Sequence, residues 1–486
     1  MHKTAFLEIM RSLDKDELKR FEAFLLSPYF NTKKNTVGFF NVIKKSAPDF
    51  EDKSLEKERI WKKLFPEKPY NYGFLKNIIY DITKLSEQFL KTEAMNSDEM
   101  QQQKNLLRML SNKGLVNIFM NKYNSIEKTH FESSKYHDYY YEDYIGIREI
   151  RFEVEAYNPR IRTKLFATDT EELFIFDFMA KFGNKYNSLY IEETEYNEKP
   201  DNEFIKLFAE TVFNSSGLED LLESLIGRSQ NKYIPAFIYF KLMRSYLNPQ
   251  SIEYYMDFKN TLFEKSKFIS ESALRGLYAN LGSALDNCKD IMNINKYQEL
   301  FEIIDQLIGK KIYKSADGKV IPSLYLLSVK TAAYLKKPEF IERQIKEFLP
   351  KIDEELKENF MHYSLAFFYY SGNVFDKALE YTNKISIDTF QLKYILKNLQ
   401  IIISYEKNDL EMFLYLNDAQ KHFLARNKSV SESYKKSNVK FLNYTNALFK
   451  IRSSDDNSDI GKLKKDLIGD LVVNKQWLIE KMKELE

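Results

Sequence analysis

Residues 362–385 read HYSLAFFYYSGNVFDKALEYTNKI. A small residue, Ala366, is followed by the aromatic pair Tyr369 and Tyr370, a Gly372-Asn373 turn, the aromatic Phe375 and a second small residue, Ala378. The pattern predicts two helices folded back on each other: the alanines permit close approach, Phe375 packs between the helices, and Gly372 supplies the left-handed turn that ends the first. Phe340, Phe375 and Leu410 stand 35 residues apart, each just after a turn signal (KKPEF, SGNVF, EKNDL). A fixed period in the thirties predicts stacked helical hairpins.

This unit resembles the tetratricopeptide repeat, over about a fifth of the chain. The neighbouring units depart from it: Arg343 and Phe413 stand where Ala378 does, and Thr331 and Ile401 where Ala366 does. The resemblance implies an α-solenoid whose groove is lined by the first helix of each hairpin. Carried over from Ala366, it puts Tyr363, Phe367 and Tyr370 on the groove side, with Asn398, Ile402 and Tyr405 as equivalents one repeat on. Tyr370 and Tyr405 would be neighbouring aromatic steps, and the Asn398 amide would hold the backbone of a bound protein or peptide segment.

Composition agrees with a helical chain. Only 14 Gly and 11 Pro occur in 486 residues, which predicts long helices with short connections and almost no sheet. A chain of this length divides into domains unless it is a solenoid, which grows without a central core. The expected organisation is all-α: an N-terminal helical bundle over 1–95, a long-helix region over 96–230, and a solenoid with a C-terminal capping helix over 231–486.

In the bundle, Asp14 and Glu17 form a capping box that starts KDELKRFEAFLL, which stops before Pro28. Ser54 is positioned to cap LEKERIWKKLF. Leu75, Ile78, Ile79, Ile82, Leu85 and Phe89 make a helical stripe, with Trp61, Leu64 and Phe65 as its expected partners. LDKDELKRFEAFLLSPYFN with KKLFPEKPYN is similar to the opening of a family of uncharacterised bacterial helical proteins. The shorter LDKDELKRF also resembles the early helix of pyrin-type death-fold domains.

Further on, Gly114 separates two helices, and SSKYHDYYYEDYIGIREIRFEVEAYN reads as a single helix. Its core stripe is Tyr136, Tyr140, Tyr144, Ile147, Ile150 and Val154, with Tyr141 off it and exposed. ELFIFDFMAKF, begun by Thr168 or Asp169, reads as a helix buried on several sides. EYNEKPDN (195–202) is the expected linker, residues 311–322 an exposed loop, and residues 460–486 one amphipathic cap.

The chemistry of common enzymes is missing. The five histidines, His2, His130, His137, His362 and His422, never share i, i+3 or i, i+4 spacing, so no helical pair of metal ligands forms. There is no Walker-type loop, Gly-rich dinucleotide turn or nucleophile elbow. Cys288, the single cysteine, reads as a small buried hydrophobe and fits a reducing cytosol. Asp455, Asn457, Asp459 and Asp466 copy calcium-loop spacing, but Ile460 replaces the glycine the turn needs. Glu192, Glu193, Glu195 and Glu198 read as a solvated helix end.

No cofactor or metal is expected. A net charge of +2, from 73 basic and 71 acidic residues, gives no field to gather nucleic acid. No apolar run reaches membrane-spanning length or makes a signal peptide, so a cytoplasmic protein is expected. These readings converge on a non-enzymatic protein- or peptide-binding adaptor. The alternatives are a peptide-responsive regulator that binds nucleic acid through its N-terminal bundle, and a defence or signalling adaptor with a death-like bundle.

Overall fold

A computed structural model describes residues 3–51, 55–157, 167–195, 202–226, 232–288, 294–315, 317–386, 390–427, 430–454 and 459–486. The described residues form an all-α fold: they contain no strand, only the isolated bridges Tyr136↔Ile269 and Lys314↔Val320. The chain divides into two compact units, Met1–Tyr123 with Glu149–Ile161, and Asn124–Arg148 with Arg162–Glu486.

The first unit is built on α1 (Ala5–Ser12), α2 (Lys15–Leu26), α3 (Lys34–Ile43), α4 (Lys57–Leu64), α5 (Tyr72–Ser97), α6 (Glu99–Asn112) and the start of α7 (Val116–Ile126). Asp14 and Glu17 form the capping box of α2, with Asp14 Oδ1 accepting from the Glu17 amide and Glu17 Oε2 from the Asp14 amide, each at 2.8 Å. Phe21 anchors the core, its ring 5.1 Å from Phe40 and 5.3 Å from Phe89. The α5 stripe buries Leu75, Ile78, Ile82 and Phe89, and Trp61 meets Phe74 at the start of this helix at 6.0 Å. Ser54 lies outside the described residues, and Glu56 occupies the N-cap of α4.

The second unit contains a π-helical turn at Glu127–Glu132, the part of α8 (Tyr140–Tyr157) up to Arg148, and all of the described chain after that helix, beginning with α9 (Ala167–Glu195), α10 (Glu203–Phe213), α11 (Ser216–Ile226) and α12 (Tyr233–Leu247). Residues 133–157 are not one helix. Tyr136 leaves helical geometry to pair with another segment, its N–H donating to the Phe268 carbonyl at 2.9 Å and its carbonyl accepting from the Ser270 N–H at 2.8 Å. The six stripe residues are buried, and so is Tyr141, at 1% exposure. Its hydroxyl donates to the Lys232 carbonyl at 2.6 Å, which turns an off-stripe tyrosine inward.

The helix buried all round is α12 and not α9. In α12 every residue except Arg244 and Leu247 is buried, whereas α9 exposes Phe174, Ile175 and Phe178. Five helices pack around α12: α9, α10, α11, α13 (Ile252–Lys265) and α14 (Glu271–Asn287). This packing spans residue 230 as α5 against α6 spans residue 95, so neither expected boundary separates compact units. Of the expected linker at 195–202 only the side chain of Asn202 is described, and it is buried; the acidic run Glu192, Glu193, Glu195 and Glu198 falls on side chains outside the described residues, as do Thr168, Asp169, Asp455 and Asn457.

From α14 each helix packs on the next. The row continues through α15 (Lys296–Gly309), α16 (Pro322–Tyr334), α17 (Pro338–Arg343), α18 (Glu354–Ser371), α19 (Phe375–Asn383), α20 (Phe390–Glu406), α21 (Leu410–Arg426) and α22 (Glu432–Ser454). Second-neighbour contacts join α12 to α14, α16 to α18 and α20 to α22. The loop at 311–322 is only partly exposed, since Ile312 and Val320 are buried.

A recurring cap sets the register. Lys336, Asn373 and Asn408 have φ of 53°, 58° and 56°. After each, the next amide donates to the carbonyl five residues back: Lys337 to Ala332 at 2.9 Å, Val374 to Tyr369 at 2.8 Å, Asp409 to Ser404 at 2.9 Å. This is a Schellman cap, whose left-handed position is one beyond the helix's capping residue. Gly372 is that capping residue, with φ −89°, and Asn373 takes the turn expected of it.

The following helices begin two residues after the left-handed residue, at Pro338, Phe375 and Leu410. The first unit is therefore displaced by two from the expected register. Ile341, Ala378 and Phe413 are equivalent and fully buried, while Arg343 is exposed and pairs with Glu347. In the preceding helices Val329, Ala366 and Ile401 are the equivalents, again fully buried.

Residues 460–486 are not a single cap. They form α23 (Ile460–Gly469) and α24 (Lys475–Leu485), with Asn474 left-handed at φ 53° between them.

Candidate partner-binding face

The residues expected to line a groove are inside. Tyr363 and Phe367 are 0% exposed, Tyr405 3%, Asn398 6% and Tyr370 9%. Tyr363 and Phe367 share α18 and their rings meet at 4.7 Å, while the Tyr363 hydroxyl donates to the Leu326 carbonyl at 3.2 Å. Tyr370 packs on Tyr334 at 5.7 Å. Tyr405 lies between Phe449 at 5.0 Å and Trp477 at 5.3 Å. These five side chains offer no open surface: α16 packs on Tyr363, Phe367 and Tyr370, α21 and α22 enclose Asn398, and a helix that the repeat pattern did not specify covers Tyr405.

Asn398 does not hold a peptide backbone. Its Oδ1 accepts from Gln420 Nε2 at 2.6 Å and its Nδ2 donates to Asn438 Oδ1 at 3.2 Å. Asn438 in turn donates to the Tyr434 carbonyl at 2.9 Å. The result is a buried amide chain linking α20, α21 and α22, in which Gln420 Oε1 stays buried without a partner.

What covers Tyr405 is α24. Gln476, Trp477, Leu478, Ile479, Lys481 and Met482 are all buried, and four consecutive buried positions mean the helix is enclosed on more than one side. It packs on α22 and α23, and its side chains reach the C-terminal end of α20. Trp477 meets Tyr405 and Phe441, and its indole N–H donates to Glu406 Oε1 at 3.0 Å. Lys481, one helical turn on, is 2.9 Å from the same carboxylate and 2.9 Å from Glu484. Glu406 therefore binds both anchors of α24.

Burial pushes the hydroxyls of Tyr370 and Tyr405 up, and the negative charge of Glu484 adds to this at both. The Glu480 charge is felt at Tyr297, Tyr334 and Tyr370. Burial raises the Glu480 carboxyl against the opposing hydrogen bond from Gln476. Burial pulls Lys481 down, and its bonds to Glu406 and Glu484 outweigh that, leaving it raised and charged.

On α16, burial lowers half-buried Lys330 to about 8, aided by the neighbouring charge of Lys296 and opposed by Asp286. Lys330 occupies the position equivalent to Phe367 and Ile402, six residues before the left-handed cap.

Sequence reasoning missed Trp477, Lys481 and Glu406. The signal was present in LVVNKQWLIEKM: three consecutive large apolar residues, Trp477 to Ile479, exceed what a one-sided cap buries.

Among the described residues no group of three or more His, Cys, Asp or Glu side chains is placed to hold a metal ion, and no helix is long and apolar enough to cross a membrane. No family model, curated protein or solved structure matches the chain.

Proposed function

We propose that this chain is a non-enzymatic, cytoplasmic interaction scaffold: a helical bundle joined to a tetratricopeptide-like solenoid that binds a helical segment of another protein. The observation that carries this reading is the seating of α24, where Tyr405 receives an indole edge to face and Glu406 receives both an indole N–H and a lysine. A face with apolar rings beside one carboxylate has the composition of a helix-binding site, in which rings supply area and the charge sets register. The expected occupant is therefore an amphipathic helix, bound through side chains and not by its backbone on Asn398.

Affinity capture from the source cells with the full chain, read by mass spectrometry, tests the proposal. A protein retained by the wild-type chain and lost with Glu406→Lys supports it. Equal recovery by both, or none by either even after Trp477→Ala loosens α24, counts against it.

A further inference from the structure

We infer that α24 is a displaceable internal ligand: it occupies the face built from Tyr405, Glu406 and Phe441, and an amphipathic helix of another protein, carrying an aromatic anchor with a lysine four residues on, takes its place. This inference rests on the scaffold reading above and adds its regulation.

The first argument is the contrast between α24 and the helix beside it. In α22 the buried polar groups are satisfied: Asn438 bonds Asn398 and the Tyr434 carbonyl, and Thr445 donates to the Phe441 carbonyl at 2.9 Å. In α24 Lys481 is paired with Glu406 and Glu484, but two other polar groups are not satisfied. Gln476 Oε1 is buried without a partner, and so is Nδ2 of Asn474 at the helix start. Among the described residues Glu480 has no ion pair; its bond is the Gln476 amide at 3.2 Å. Each such group loses hydration when α24 docks and regains it on release, which offsets the gain from burying Trp477, Leu478, Ile479 and Met482. A helix held by opposed contributions of this kind is set to exchange.

The second argument is local geometry. The chain between α23 and α24 is short, residues 470–474, and Asn474 alone carries the left-handed turn. A tethered helix meets its site at high effective concentration, so a free helix competes poorly until the tether is weakened.

The third is the chemistry of recognition. Glu406 accepts from the indole N–H and from Lys481 together, so a competitor needs both groups at i and i+4 to satisfy that carboxylate. A helix with an acidic residue at the lysine position would place two carboxylates together and be rejected.

The test uses the full chain and a fluorescein-labelled synthetic peptide of residues 470–486, with binding read by anisotropy. Trp477→Ala with Lys481→Ala weakens α24 and leaves the receiving face intact. This opened chain should bind the peptide at least about tenfold more tightly than wild type, and adding Glu406→Lys should remove the gain. Equal binding by opened and wild-type chains, with helical circular dichroism retained, overturns the inference. Peptide binding that survives Glu406→Lys overturns the assigned face. Should the opened chain not fold, hydrogen exchange on the wild type decides: amides of Trp477–Met482 exchanging at least about tenfold faster than those of α20 and α22 support release, and equal protection refutes it. The scaffold reading fails separately, when neither the wild-type nor the opened chain retains a protein in affinity capture.

Discussion

The Trp477 ring meets the Tyr405 ring edge to face, at 5.3 Å and 88°, while its N–H reaches the carboxylate of the next residue, Glu406, at 3.0 Å. One side chain thus seals an aromatic step and satisfies the charge beside it. Tyr405 is packed on its other side by Phe449, and the Arg452 guanidinium lies over its ring at 5.3 Å. Tyr405→Ala should therefore lower stability by about 3 kcal/mol, as for other buried large-to-small changes. Chemical denaturation followed by circular dichroism measures this, and an unchanged midpoint would mean that the ring is a surface group.

Ala378 sits fully buried against α18, at the position taken by Ile341 and Phe413 in the neighbouring units. Ala378→Arg should cost about 2 to 4 kcal/mol, from overpacking and an unpaired buried charge. A thermal melt identical to wild type would show that the helix pair is not in this register.

Removing the central amide of the chain through Gln420, Asn398 and Asn438 leaves two buried groups unpaired. Asn398→Ala should cost about 1 to 3 kcal/mol. In a double-mutant cycle, Asn398→Ala and Asn438→Ala should be strongly non-additive; simple additivity would argue that they act separately.

The left-handed caps differ in how well their residues suit that conformation. Asn tolerates φ near +55° through its short polar side chain, and Lys does not. Lys336→Gly should raise stability by about 0.5 to 1 kcal/mol, and Asn373→Gly by less. Comparing the two denaturation midpoints checks the ranking, and a larger gain at Asn373 would contradict it.

Lys330, depressed to about 8 by burial and by Lys296, binds its proton less well folded than unfolded. The unfolded chain then holds more protons between about pH 8 and the ordinary lysine value near 10.4, so stability rises with pH across that window and the penalty is fully present below it. Lys330→Met should raise stability at pH 7 by about 1 to 3 kcal/mol and flatten the rise above pH 8. An unaltered pH profile of the melting temperature would place this lysine in solvent.

The sequence by itself determined what depends on neighbours along the chain. Scarce glycine and proline, the Asp14–Glu17 capping box and the three-four stripes specify most of the helices, because capping and amphipathicity act within one or two turns. The turn between α18 and α19 was legible at Ser371-Gly372-Asn373, although the left-handed residue is Asn373 and not Gly372.

The tertiary structure decided what depends on distance. Tyr141 is turned inward by a carbonyl 91 residues away, Asn398 is consumed by amides on two other helices, and Tyr136 leaves helical geometry to pair with Phe268 and Ser270. Above all, the groove expected along Tyr363, Phe367, Tyr370 and Tyr405 is closed, the last by a helix 71 residues beyond Glu406. A stripe of apolar residues states that a surface must be covered; only the folded chain states by what, because burial is indifferent to the order in which its partners occur in sequence.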